Sequence, residues 1–198
     1  MMYMKLGELV DILGGQIMTR IKVSNPTDEC IEERKVIVPK AITDSGIIDA
    51  SQLAEEKLKV EADEKRIAKA GDIVIKLNSP YTSAMISEES MGCIVPSFCA
   101  IIRIKTMGID RKVLPGYLLA FLNSSSCRNQ LDDMIRGTVM TLLSVGKLKE
   151  VNVPIPGETE QFSIAMEYMN IQHKLNLISQ IEKWERMKND TFFSELEG

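Results

Sequence analysis

Apolar residues along this chain change rhythm several times, and each change predicts an element. Residues 5–13, KLGELVDIL, mix apolar and charged positions as a short amphipathic helical turn leading into a strand, which Gly14 and Gly15 break. RKVIVPKAI (34–42) is a β-rich run ending near Pro39, followed by the turn TDSGIID. Residues 51–69 are charged and weakly periodic, which predicts helix or surface loop. AGDIVIKL (70–77) gives a turn and a strand, and CIVPSFCAIIRIK (93–105) a second strong strand with a basic end at Arg103 and Lys105. VLPGYLLAFLNSSS (113–126) predicts a helix with Pro115 in its first turn, and SSCRNQLDDMI a second, capped from Ser124–Ser126. Ser144 caps a further short helix, and VNVPIP is a strand that Pro154 and Pro156 confine to an edge or an end. Strands and helices do not alternate regularly, so the fold class is α+β rather than a doubly wound parallel sheet.

After Pro156 the rhythm is different. Apolar residues fall at Ile164, Tyr168, Ile171, Leu175 and Ile178, steps that make a heptad seam. Beyond Ile178 the steps tighten to Ile181, Trp184 and Met187, as in a stammer. Glu158 or Thr159 begins the helix, with glutamates favoured at its positive end. About 38 residues at 1.5 Å each make a rod of roughly 57 Å. The chain therefore divides into a mixed body, 1–156, and a long helix, 157–198. That helix needs a partner helix, with packing back onto the body expected for its first two turns only.

Composition narrows the function. The chain has 198 residues and a formal net charge of −4, an average that conceals a pattern. Residues 101–150 hold eight Lys/Arg against four Asp/Glu; residues 41–100 hold six against ten, and residues 151–198 four against eight. A local basic face is what phosphate contact needs, since charges act over about 8–10 Å in physiological salt. No stretch is long and apolar enough for a membrane span, and Glu8 and Asp11 make the first residues a poor secretory signal. The cysteines (Cys30, Cys93, Cys99, Cys127) show no CxxC pairing, and His173 is the one histidine, so no metal site is expected. Reduced cysteines fit a cytoplasmic protein.

Catalytic patterns are thin. Asn78-Ser79-Pro80-Tyr81 is close to the Asn-Pro-Pro-Tyr tetrapeptide with which amino-methyltransferases hold a flipped base. The residues before it hold no glycine-rich turn opening a βαβ unit for a cofactor, so an adenine methyltransferase fragment is the weakest reading. No Ser-His-Asp set and no phosphate-cradling GxxxxGK[ST] is present. No cofactor and no catalytic residue are expected.

The stretch GTVMTLLSVGKLKEVNVPIPGETEQFSIA (137–165) resembles the end of a target recognition domain in the specificity subunit of type I restriction-modification systems. The matching features are Gly137-Thr138, Lys147-Leu148, Val153-Pro154-Ile155-Pro156 and Glu160-Gln161. KLGELVDI, AGDIVIKL and YLLAFLNS match further landmarks in the same order, so the resemblance spans nearly the whole chain. It implies a target recognition domain followed by a coiled-coil spacer helix. It also implies a non-catalytic subunit that reads double-stranded DNA and docks the adenine methyltransferase subunit, with a restriction/translocase subunit joining for cleavage. Full-length subunits hold two recognition domains and two spacer helices. One of each here predicts a half-size subunit that forms a homodimer through antiparallel helices, with Ile164, Tyr168, Ile171, Leu175 and Ile178 at the contact. A homodimer would read an interrupted, two-fold symmetric site.

Candidate DNA contacts lie in three segments. The loop after GDIVIKL carries Lys76, Asn78, Ser79, Tyr81 and Thr82; asparagine can bond an adenine edge bidentately and lysine can reach phosphate or guanine. Arg20 and Lys22 follow the Gly14-Gly15 break, and Arg136 and Thr138 flank the Gly137 turn. The alternative from a different class is an assembly factor that binds partner subunits without reading DNA, which the net acidity keeps open.

Overall fold

Residues 73–76 and 99–104 are almost wholly apolar because the sheet they build is covered on both faces. The computed structural model describes residues 2–105, 113–136 and 142–196. At its centre β2 (Val10–Gly14), β7 (Cys99–Ile104), β5 (Ile73–Lys76) and β6 (Ser83–Met85) form an antiparallel sheet in that spatial order. Side chains alternate across it. Ile73, Ile75, Ala100 and Ile102 join the main core, while Val74, Cys99 and Ile101 join a second core with Ile37, Ile42, Ile86 and Val95.

Helices close the main-core face. These are α1 (Leu6–Leu9), α3 (Pro115–Leu122), α4 (Ser125–Ile135) and α5 (Val145–Lys149), whose buried residues include Leu6, Leu9, Leu118, Leu122, Leu131 and Leu148. The expected caps form: Ser124 Oγ accepts from Cys127 N at 3.2 Å, and Ser144 Oγ from Lys147 N at 3.2 Å. β1 (Met2–Lys5) pairs with β8 (Asn152–Ile155), so the start of the chain is zipped to the strand before the long helix. Pro154 sits in this two-stranded sheet, consistent with the expected edge position.

A second small sheet was not visible in the sequence. β3 (Glu32–Val36) pairs with β4 (Ala54–Leu58), which lies in the charged stretch expected to be helix or loop. Its outer side is held by charge: Lys22 meets Glu56 at 2.8 Å and Lys57 meets Glu33 at 3.4 Å. Leu58 and Val36 turn inward with Ile21 and Ile94. One inward leucine in a run of charges leaves little period-two signal to read. Between β2 and β3 the chain also makes the short helix α2 (Met18–Ile21).

The long helix is α6 (Glu158–Leu196), 39 residues and about 58 Å. It lies against α3, where Gly116 lets it approach: a methyl built on Gly116 would sit 3.0 Å from Ala165 Cβ. Packing on the body continues well past two turns, a correction to the sequence expectation. Gln161, Ala165, Tyr168 and Gln172 face inward, so the covered face is mostly small and polar and takes from the expected seam only Tyr168, which packs on the body by Gly46 rather than standing free for a partner. Ile164, Ile171, Leu175 and Ile178 remain exposed on one flank of that face. Phe162, Met166, Met169 and Leu177 are exposed on the other. At 100° per residue the two flanks lie on opposite sides of the inward face. The helix thus touches its own body along a narrow strip and leaves both apolar flanks free. Among the described residues no helix is long and apolar enough to cross a membrane.

Candidate nucleic-acid interface

Antiparallel register gathers three chain segments at one end of the central sheet. Gly14 pairs with Ala100 and Lys76 with Cys99, so β2 and β5 finish where β7 begins. The segments 15–22, 77–82 and 95–98 leave from that end. Their main chains are tied together: Gly15 N donates to Cys99 O at 3.0 Å, Gln16 N to Val95 O at 2.7 Å, Ser97 N to Gln16 O at 2.8 Å and Leu77 N to Phe98 O at 2.9 Å. A side chain cannot fit at Gly15, where a Cβ would fall 2.1 Å from Pro96 O. Arg66 braces the same place, donating from Nη1 to the carbonyls of Gly14 and Gly15, the latter at 2.7 Å. α4 joins this end as well. Its Asp132 carboxylate lies beside the Tyr81 phenol, and in the segment before α5 Leu143 N donates to Leu77 O at 2.7 Å.

The sequence candidates separate into groups on this frame. Asn78 and Ser79 are exposed at the tip of the β5–β6 hairpin, which the Tyr81 N to Asn78 O bond of 2.8 Å closes. Arg20 is exposed on α2. Arg136, at the end of α4, has an 81% exposed side chain that meets Asp133 at 3.3 Å, an exposed pair worth little energy. These four side chains are available to a ligand.

Two candidates are corrected by burial. Tyr81 and Thr82 are each 1% exposed. The Tyr81 ring fills the main core at a left-handed backbone position, φ 57°, and burial pushes its phenol pKa up. A ring held there cannot stack on a flipped base, which removes the structural basis of the methyltransferase tetrapeptide. Lys76 is engaged inside the protein, its Nζ donating to Ile42 O at 2.7 Å, while Lys22 is partly exposed and pairs with Glu56 at the surface. Thr138 and the Gly137 turn lie outside the described residues.

Among the described residues, several cations of the basic block 101–150 point to different places. Arg103 forms a two-pronged pair with Asp72, Nε to Oδ1 at 2.8 Å and Nη2 to Oδ2 at 2.6 Å, at the far end of the sheet. Lys105 donates to Gly7 O at 2.8 Å at that same far end, while Lys147 donates to Met134 O at 2.7 Å near α4. Ser97 is exposed at the same end of the sheet as Asn78 and carries no motif that the sequence would have flagged. Its placement depends on the register of β7. Among the described residues no group of His, Cys, Asp and Glu could hold a metal ion.

Comparison with solved structures places this architecture. The HsdS subunit from Thermoanaerobacter tengcongensis matches with a TM-score of 0.63 at 18% identity, over 96% of this chain and 47% of that one. A chain from a structure described as the basis of complex assembly and conformational transition in the type I R-M system matches at 0.57 and 18%, over 96% and 45%. The S subunit of the type I restriction-modification system of M. genitalium matches at 0.55 and 12%, over 94% and 42%. The fold is that of type I restriction-modification S subunits. This chain spans about half the length of each of these structures. No family model and no curated protein sequence matches the chain.

Proposed function

We propose that this chain is a DNA sequence-recognition subunit of a type I restriction-modification system. In this reading the loops at the end of the central sheet read one half of a bipartite site, and α6 sets its relation to the other half. The observation that carries the reading is the fold correspondence over 96% of the chain, body and long helix together. Support comes from the exposed hairpin tip, where Asn78 and Ser79 offer hydrogen-bonding groups on a rigid backbone. Arg20 and Arg136 supply charge for phosphate. The chain itself performs no catalytic step; an adenine methyltransferase subunit docks on it, and a restriction/translocase subunit completes the nuclease.

The exposed flanks of α6 point to a second helix. Covering the exposed halves of Ile171, Leu175 and Ile178 would contribute about 1 kcal/mol apiece. For the chain acting on its own, a second copy supplies that helix in antiparallel fashion. Sedimentation of the purified chain should then give a dimer, and Leu175→Lys with Ile178→Lys should give a folded monomer. The assembly-factor reading retains one specific support, since Lys76, a candidate DNA contact, is occupied within the protein. Binding of random-sequence duplex at low salt separates the two. Measurable affinity that falls steeply with salt supports DNA contact; none at low salt, with the methyltransferase still co-purifying, would leave the assembly factor standing.

A further inference from the structure

Gln172 is 7% exposed on a helix whose surroundings are mostly open to solvent. Its amide is spent on the main chain of the body: Nε2 donates to Ser45 O at 3.0 Å and to Gly46 O at 2.9 Å. The receiving turn is rigid. Thr43 N donates to Ile47 O and Gly46 N to Thr43 O, each at 2.9 Å, and Thr43 Oγ1 also donates to Ile47 O at 2.9 Å. Gly46 has φ +76°, and a methyl built on it would meet Gln172 Nε2 at 2.7 Å, Ser83 O at 2.9 Å and Tyr168 Oη at 3.2 Å. Only glycine admits the helix this closely.

The same turn connects to the reading end. Lys76, two residues before Asn78, donates to Ile42 O, immediately ahead of the turn. Asn123 adds a parallel tie, bonding Ser83 through both N and O at 2.9 Å and lying beside the Tyr168 phenol. Near its start α6 is held by Gln161 and by Ala165 against Gly116. Those two points act as a pivot. Gln172, about 10 Å beyond Ala165, is the hold that turns a pivot into a fixed angle.

We infer that Gln172 is a positioning residue whose bond to the 45–46 turn fixes the crossing angle of α6 on the reading body, and through that angle the spacing between half-sites. The inference rests on the reading of the chain as a specificity subunit. Leverage gives it force. From Gln172 to Leu196 the helix runs about 36 Å, so a tilt of about 5° displaces its end by about 3 Å. That is close to the roughly 3.4 Å rise of one base-pair step. An angle free by a few degrees would accept neighbouring spacings.

Gln172→Glu keeps the shape of the side chain and sets carboxylate oxygens against two carbonyls; Gln172→Met keeps its length without donors. Two readouts are taken on the full chain. The first is the distance distribution between spin labels on the exposed Cys30 and an introduced Glu185→Cys, with labelled chains diluted in unlabelled protein. Wild type should give one narrow distribution, and both variants one broadened or shifted by about 3 Å or more. The second is the set of methylated sites after co-expression with the adenine methyltransferase subunit. Both variants should keep the wild-type half-site sequences and spread over two or more spacer lengths. An unchanged distance distribution, or a single wild-type spacer in both variants, would overturn the inference. Absence of methylation by wild type would count against the specificity-subunit reading instead, and the distance distributions would then decide the angle by themselves.

Discussion

Gln161 shows how a single side chain carries structure that its motif only hints at. It stands in the Glu160-Gln161 pair that opens α6, is 2% exposed, and accepts from Leu114 N at 2.9 Å while donating to Pro156 O at 3.2 Å. It therefore joins the start of α3, the end of β8 and the long helix. Replacement by leucine strands a donor and an acceptor, at a cost of about 2–6 kcal/mol in all, since each buried group left unpaired costs about 1–3 kcal/mol. Urea unfolding of Gln161→Leu against wild type measures it. The cysteines give a second test. Burial pushes the Cys99 and Cys127 thiols up to about 12 and raises Cys93 as well, whereas Cys30 is exposed. Thiols below their pKa are protonated and poor nucleophiles. Iodoacetamide at pH 8 should thus modify Cys30 alone in the folded chain, as peptide mass spectrometry would report, and all four in denaturant. At this scale the sequence was half legible. Asn78 and Ser79 were placed on an exposed tip, as a polar loop after a strand suggests. Tyr81, three residues further on, was not, because an aromatic in a loop reads the same whether it points to solvent or anchors the loop in the core.

Among the elements, those whose apolar period matches their burial were readable from the chain: β5 and β7, α3 with Pro115 at its start, the serine-capped α4 and α5, and the edge strand β8. β4 was missed because it offers a single inward leucine in a run of charged residues, which composition does not distinguish from a solvated helix. For α6 the length was legible and the contact face was not. Periodicity reveals where apolar residues line up, but the face laid on the body is built from glutamines, an alanine and a tyrosine. Close approach over Gly116 explains that choice, because small residues permit what larger ones would block. Gly116→Val should push α6 off α3 and lower stability by about 1–3 kcal/mol through overpacking. Calorimetry measures the loss. An unchanged transition would mean that α6 does not rest on α3 in solution.

In the whole molecule, two features meet: a body whose sheet end presents rigid loops, and a long helix that leaves both apolar flanks uncovered. On the proposed reading, the first would meet DNA and the second a partner helix. The net charge of −4 hid this. Two cations of the basic block, Arg103 and Lys105, are engaged by internal bonds at the opposite end of the sheet, so charge counting along the chain overstated what that block offers a ligand. The partner arrangement was suggested by the heptad seam and by family resemblance, not by any catalytic pattern. The central claim is that this chain chooses the sites at which a partner enzyme acts. It is tested most directly by co-expressing the chain with its adenine methyltransferase subunit in a host lacking adenine methylation and mapping modified adenines by single-molecule sequencing. One interrupted motif is expected, palindromic for a homodimer, that weakens when Asn78 and Ser79 are replaced by alanine. Methylation with no sequence preference, or none at all from a co-purifying pair, would contradict it.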